Sequence, residues 1–401
     1  MISNKEYYKT IVSMVPQWFI SDHWAPHEIN LNIKGDDTKY YISAYRNATP
    51  IMHRWKEKCE HLAEELLQRP STNAKSIDEE LIQATLVKEW LDLKGYVGDW
   101  ERLFDYSRML ENRTYENSDI SFTFIYNQKH SGDFDLLDNE SMKILDVLGE
   151  TQFTFFRIGK NWDYVDYDYV KWDDISDSSG YELVPQFVYP YKSILNQGEC
   201  AITKTKRGDL IIYDGSGLLA SCRKGEWKIY DPQPLKNAIV DHVGIYRIGC
   251  NLFEILFDLS YRRHGALILI DTDNVHESVV SNQSSIINHS SSPLYQTLSE
   301  RLNSINIQSG DRKSISKELI LELASVDGAI IFDAKGDLIA FGAMVNSHPD
   351  ADGELGARSL ASLSAHLHGM KVFKVSSDGQ ITLYYNNKDD DGEELVKLEF
   401  L

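Results

Sequence analysis

Positive charge is scarce in this chain: 41 Lys and Arg stand against 61 Asp and Glu, a formal net charge of −20. Nucleic-acid backbones and anionic membranes both demand local positive potential, so neither is expected as the main partner. One basic pocket for a small phosphorylated ligand remains compatible with an acidic surface. Cysteine is scarce too: Cys59, Cys200, Cys222 and Cys250 are the four in 401 residues, and none forms a CxxC pair. A zinc knuckle and a thioredoxin-like motif are thereby excluded, and scattered thiols suit a reduced, cytoplasmic chain. The longest apolar run, Leu338–Val345, falls far short of the roughly 18 residues of a membrane span. The opening stretch, MISNKEYYKTIVSMVPQWF, has no apolar core of signal-peptide length. Walker, Rossmann, HExxH and GxSxG patterns are all missing.

What is present is a foldable chain. Its 42% hydrophobic and 11% aromatic content is too rich for disorder, and its length suits two or three domains. Residues 1–117 read as a helical N-terminal region. Ile51, Trp55, Cys59, Leu62 and Leu66 recur at helical spacing, as do Leu81, Ala84, Val87 and Leu91. Residues 118–195 read as an α+β region. Strand-like runs at Ile120–Tyr126 and Thr151–Phe156 flank a helix at Asn139–Leu148. The acidic, aromatic segment Asn161–Val170 alternates as a strand with one wet face; its spacing is not that of an EF-hand loop. Pro185 and Pro190 mark a boundary, which places a third region at 196–401.

That third region opens with a β-meander at Asp209–Tyr213, Leu218–Ser221 and Trp227–Tyr230. A helix over about 235–263 follows, then Gly265–Ile270, apolar on both faces like a strand in a covered sheet. Residues 278–292, rich in Ser and Asn, are expected to form a mobile loop. Next come a helix carrying Ile315, Leu319 and Leu323, strands at Ala329–Asp333 and Leu338–Met344, and a helix from about Ala357. Gly369 is suited to end that helix in a left-handed residue, and strands Lys371–Val375 and Ile381–Tyr385 complete the region. The acidic tail with Asp389, Asp391, Glu393 and Glu394 is expected to be a solvated end or an interaction tail. The fold class is α/β: a twisted mixed sheet flanked by helices, with α+β character in the N-terminal region.

Three short motifs carry the chemistry. Asp327-Gly-Ala329 stands at a helix-to-strand junction, Phe341-Gly-Ala-Met344 ends a strand, and Gly353-Glu-Leu-Gly-Ala-Arg358 opens a helix. Glycines let a backbone approach a phosphate closely, and a helix N-terminus directs free N–H groups at it. Arg358 adds a fork of charge-assisted donors, and Asp327 is a candidate ligand for Mg²⁺ or Mn²⁺ bridging phosphates. His366 and His368, two apart near a helix end, suit a surface or capping role better than a metal site.

These motifs, with Val375-Ser-Ser-Asp-Gly379 and Arg263-His-Gly-Ala-Leu-Ile-Leu-Ile270, resemble those of the diadenylate cyclase domain, in the same order, over roughly 250–385. That family joins two ATP molecules into cyclic di-AMP across a face-to-face dimer on a twisted mixed sheet. The resemblance implies that Asp327 serves the metal and the attacking hydroxyl, that Gly328 and Ala329 line the nucleotide, and that Arg358 grips phosphate. It brings Gly342, Ala343, Gly356, Ser359 and Ser376 in as further nucleotide contacts.

The departures matter equally. Where the family has Thr-Arg-His-Arg, this chain has Ala357-Arg-Ser-Leu360, and its Ser-Glu-Glu becomes Ser376-Ser-Asp378. A hydroxyl, an imidazole and a guanidinium are lost from a reaction that depends on positioning and charge. The pattern is closer to the degenerate, cyclase-derived sensor domains of bacterial signalling and conflict systems. The expectation is therefore a nucleotide or cyclic-dinucleotide sensor. It would be homo-oligomeric, with the N-terminal region offered to a protein partner. A divergent active cyclase using ATP and a divalent metal, with His366, His368 or Asp378 replacing lost groups, is the alternative; a purely structural assembly protein is a third.

Overall fold

The computed structural model describes residues 79–110, 120–138, 141–148, 153–171, 183–230, 232–287, 305–307, 315–351, 356–389 and 392–400, positions 54 and 58, and strand pairs at 27–30 with 41–44 and 114–115 with 118–119. The helix expected from Ile51 to Leu66 lies almost wholly outside the described residues. Two compact units divide the chain at Pro232 and Gln233, and both combine helices with mixed sheets.

In the first unit, α1 (Glu79–Leu93) and α2 (Trp100–Met109) precede strands β1 (Phe122–Tyr126) and β2 (Phe134–Asp135) and helix α3 (Ser141–Leu148). Strands β3 (Thr154–Ile158), β4 (Asp163–Tyr169), β5 (Cys200–Lys204), β6 (Leu210–Asp214), β7 (Gly217–Arg223) and β8 (Glu226–Ile229) follow. α2 starts where Asp99 accepts the N–H of Arg102, the usual device for an orphan helical donor. The eight strands form one sheet in the order β8-β7-β6-β5-β1-β3-β4-β2. β1 lies parallel to β3 and antiparallel to β5. The core is aromatic: Trp90, Trp100 and Trp162 are each buried. Their indole N–H groups donate to the carbonyls of Leu219 (3.1 Å), Tyr96 (2.8 Å) and Asp99 (2.7 Å), so the burial leaves no indole donor stranded.

This sheet moves the expected boundaries. Phe122–Tyr126 pairs residue for residue with Cys200–Lys204, so a division at 195/196 would cut through one sheet. Residues of α1 and α2 share a single core with β1, β6 and β7, so the division at 117/118 disappears as well. The meander at 200–229 therefore completes the first unit instead of opening the last. The acidic segment forms a strand, β4, but without the expected wet face: Asp163 and Asp168 are half-buried, whereas Asp166 and the aromatic Tyr169 are exposed, and a register shift interrupts its pairing with β3.

The second unit runs α4 (Pro232–Val243), α5 (Tyr246–Arg262), β9 (Ala266–Asp271), α6 (Ile315–Ala324), β10 (Ala329–Asp333), β11 (Leu338–Ala343), α7 (Ala357–Leu367), β12 (Lys371–Val375), β13 (Ile381–Asp389) and β14 (Gly392–Phe400). The sheet order is β11-β10-β9-β12-β13-β14. β9 and β10 are parallel, joined by a crossover containing α6, and every other neighbouring pair is antiparallel. All six residues of β9 are buried, the signature of a strand covered on both faces.

Two local expectations are corrected here. The single helix over 235–263 is two helices, broken at Gly244-Ile245. The loop expected at 278–292 is held against β11 over its described part. Val280 bridges to Val345, Ile286 bridges to Ala340, and a single 3₁₀ turn spans Gln283–Ser285. Of the acidic tail, Asp389, Glu393 and Glu394 lie on the strands of a long hairpin, with Glu393 in register with Lys388 and Glu394 with Asn387. The end of α7 agrees with expectation. Gly369 N–H returns to His366 O and Met370 N–H to Ala365 O, a Schellman closure.

A buried ion cluster ties α5 to α6. Lys317 Nζ lies 2.8 Å from Asp258 and 3.3 Å from Glu254, with all three residues at most 5% exposed. Among the described residues no helix is long and apolar enough to cross a membrane.

Candidate functional site

Strand register gathers the motifs at one end of the second sheet. Ile268 pairs with Ile330 in parallel, so the starts of β9 and β10 lie side by side. The end of β11 joins them through Ala329 opposite Ala343, and the end of β12 through Ala266 opposite Val375. Gly265, Asp327-Gly328, Gly342-Ala343 and Ser376 thus share one edge, although they are spread over more than a hundred residues of chain.

Within that edge the backbones nearly touch. Gly328 has φ +106°, and a Cβ there would stand 2.6 Å from the carbonyl carbon of Gly342 and 2.9 Å from Ala343 N. Neither neighbour is a flexible side chain, so only glycine fits. Asn282 fastens the other side of this junction. Its Nδ2 donates to Gly342 O at 3.0 Å and its Oδ1 accepts Met344 N–H at 2.7 Å, which continues the edge as a strand would. Ala329 and Ala343 are buried, whereas Asp327 is exposed at the mouth.

α7 delivers the cation. Its N-cap is Gly356, followed by Ala357, Arg358 and Ser359, whose first-turn N–H groups have no helical acceptors. Arg358 reaches back to the start of β9. A Cβ on Gly265 would lie 2.1 Å from its Nη1 and 3.5 Å from Ser377 N, so the guanidinium occupies the space that a side chain at 265 would take. Ser359 Oγ accepts from Lys374 Nζ at 3.1 Å, which ties the helix start to β12. At the β12–β13 turn the Ser376 hydroxyl lies within hydrogen-bonding distance of both the Asp378 carboxylate and, at 3.1 Å, Gln380 O.

Sequence reasoning missed Gly265 as the seat of Arg358, Asn282 as the clamp on Gly342, and Lys374 as the partner of Ser359. Lys374 did carry a signal: it is a lone charge inside the apolar run Val372–Val375. His366 and His368 lie elsewhere. They are eight and ten residues along from Arg358, at least roughly 12 Å at the helical rise, toward the other end of the helix. His368 instead faces His348, with ring centroids 4.8 Å apart.

The opposite end of the parallel pair is structurally occupied. Asp271 is 1% exposed and accepts N–H groups of Asp273, Val275 and His276, with His276 Nδ1 at 2.6 Å. Asp333 accepts from Lys335 and Asp337 N–H. Both carboxylates are spent on turns. Among the described residues no group of three or more His, Cys, Asp or Glu is arranged to hold a metal ion. A lone Asp327 fits Mg²⁺ only together with ligand phosphates, the ion's usual mode.

Comparison with known proteins adds little. No family model matches the chain, and no curated protein matches it. Among solved structures, a hypothetical membrane-spanning protein from Bacillus cereus is similar at 14% identity, over 42% of this chain and 75% of that one, with a TM-score of 0.27. A double-cysteine mutant of DacA from Staphylococcus aureus is similar at 16% identity, over 40% of this chain and 89% of its own, with a TM-score of 0.23. Superpositions at that level carry no argument about fold or activity.

Proposed function

We propose that the second unit is a nucleotide- or cyclic-dinucleotide-binding module, catalytically degenerate, that serves as a sensor in bacterial signalling or defence. The ligand phosphate rests at the N-terminus of α7, with the base side toward Gly328, Ala329, Gly342 and Ala343. The observation that carries this reading is the meeting of Arg358 with the side-chain-free Gly265, at the end where two glycine backbones leave no room for a Cβ. A guanidinium and free helical N–H groups are what phosphate recognition requires. The module works in the cytoplasm as a homo-oligomer, closed by two-fold symmetry as most such assemblies are. The first unit passes the signal to a protein partner.

A divergent cyclase that uses ATP with Mg²⁺ or Mn²⁺ is the second reading. It is favoured by the exposed Asp327 carboxylate and by Asp378 beside Ser376. Asp327 would hold the metal jointly with ligand phosphates.

The test is mass spectrometry of small molecules released from freshly purified protein, followed by calorimetry with ATP and cyclic di-AMP. A bound or titratable nucleotide supports the sensor. Protein that carries none and binds neither removes it.

A further inference from the structure

Lys374 is an unusual residue for its place. It sits mid-way along β12, between β9 and β13 in the sheet, and yet is only 7% exposed. Its position opposite Leu267 and Thr382 turns its stem toward α7, where Nζ meets Ser359 Oγ on the helix's first turn. Arg358 is the adjacent residue, so two cations from different elements converge on one helix start, where the free N–H groups already favour an anion.

A second observation points the same way. Thr382 pairs directly with Lys374 across the strands, which puts both side chains on one face. Thr382 is fully buried, and its Oγ1 has no hydrogen-bond partner among the described residues. A buried hydroxyl left in this condition calls for an explanation, and a ligand or ligand-borne water beside the lysine supplies one.

We propose that Lys374 is a second cationic phosphate ligand of this site, acting with Arg358 beneath the first turn of α7. The proposal rests on the nucleotide reading above and adds a second cation to the guanidinium of Arg358. The ligand is then a phosphate compound with at least two negative charges, either a nucleoside polyphosphate or a cyclic dinucleotide. Ser359 holds the ammonium in place before the ligand arrives, and Thr382 furnishes the polar floor.

Calorimetry with ATP, cyclic di-AMP and adenosine on wild type, Lys374→Met, Ser359→Ala and Arg358→Ala tests it, with thermal unfolding as the control for folding. Lys374→Met is expected to weaken the phosphorylated ligands at least tenfold and to leave adenosine unchanged. Whichever of ATP and cyclic di-AMP shows the larger loss identifies the source of the phosphate. Ser359→Ala, at a half-buried position that keeps the lysine, is expected to weaken the same ligands severalfold, and it decides the matter if Lys374→Met fails to fold. Loss of affinity in Arg358→Ala with wild-type affinity in Lys374→Met or in Ser359→Ala overturns the role of Lys374 and leaves the site reading standing. Wild-type protein that binds none of the three compounds overturns both.

Discussion

The guanidinium of Arg358 fills the space where a side chain at Gly265 would stand: an added Cβ would come within 2.1 Å of its Nη1. The pair spans the start of β9 and the start of α7, nearly a hundred residues apart. Gly265→Ala should therefore displace the guanidinium. The obstructing atom is the end of a flexible chain, so the fold should survive. We expect Gly265→Ala and Arg358→Ala each to weaken nucleotide binding about tenfold or more, equivalent to about 1.4 kcal/mol, and the double variant to be little worse than either. Calorimetry on the four proteins checks this; additive losses would mean that the two residues act separately.

Gly328 differs because its neighbours are backbone atoms. With φ +106° and a Cβ that would lie 2.6 Å from the Gly342 carbonyl carbon, Gly328→Ala strains the main chain and forces β10 from β11. A cost of about 2–4 kcal/mol is expected. Urea unfolding should show a lower midpoint for Gly328→Ala and little change for Gly356→Ala. Gly356 has a positive φ as well, but none of the described residues comes within 4 Å of its would-be Cβ, so it bears only the conformational part of the cost.

Local pattern made much of this fold legible. The all-apolar run Gly265–Ile270 announced a covered strand, the meander at 209–230 announced its turns, and Gly369 announced the end of α7. Pairing between distant segments was not legible. Nothing in Phe122–Tyr126 indicates that Cys200–Lys204 will lie beside it, so Pro185 and Pro190 read as a domain boundary, whereas Pro185 precedes a 3₁₀ turn and Pro190 opens a short helix within one unit. The site divides the same way. Asp327, Gly328, Gly342 and Arg358 stood out by type and spacing. Gly265, Lys374 and Thr382 matter only because register makes them neighbours.

The Lys317 cluster yields a stability prediction independent of any ligand. Glu254 and Asp258 share this one ammonium in a buried setting. Lys317→Met keeps the volume but takes the ammonium away from two buried carboxylates, and breaking a buried pair in this way costs about 3–5 kcal/mol. Replacing all three residues by apolar ones of similar size should recover most of the loss. Denaturant unfolding of the single and triple variants distinguishes an uncompensated charge from simple repacking, which would make the triple variant the worse of the two.

His242 gives the second unit a pH dependence. Burial, with smaller contributions from Lys371 and His366, pushes its pKa from 6.5 down to about 3. The unfolded chain then binds a proton that the folded chain refuses between those values. Stability is fully present above about pH 6.5 and falls as pH drops toward 3, by an order of a few kcal/mol in total. His242→Phe preserves an aromatic ring against Phe373, 5.4 Å away in the native packing, and removes the titration. Urea midpoints measured from pH 7 to pH 4 should fall less steeply in the variant; parallel curves would assign the acid sensitivity to other groups.

Turnover is the outcome that separates the two functional readings. In-line attack on an α-phosphate builds charge that fixed donors must meet, and one missing donor alone can cost about 10²–10³ in rate. This chain retains Arg358 but has Ala357, Ser359 and Leu360 where the family it resembles carries a hydroxyl, an imidazole and a second guanidinium. His366 in the last turn of α7 and His368 at its C-cap stand at the far end of the helix. Losses of this kind combine in ways that are seldom additive, but two or three together leave no set of donors around the reacting phosphate. Incubation with ATP and Mg²⁺ or Mn²⁺ is therefore expected to yield no cyclic di-AMP, while ATP or cyclic di-AMP binds. Product that forms and then disappears in Asp327→Asn would overturn the sensor reading and make this chain an unconventional cyclase.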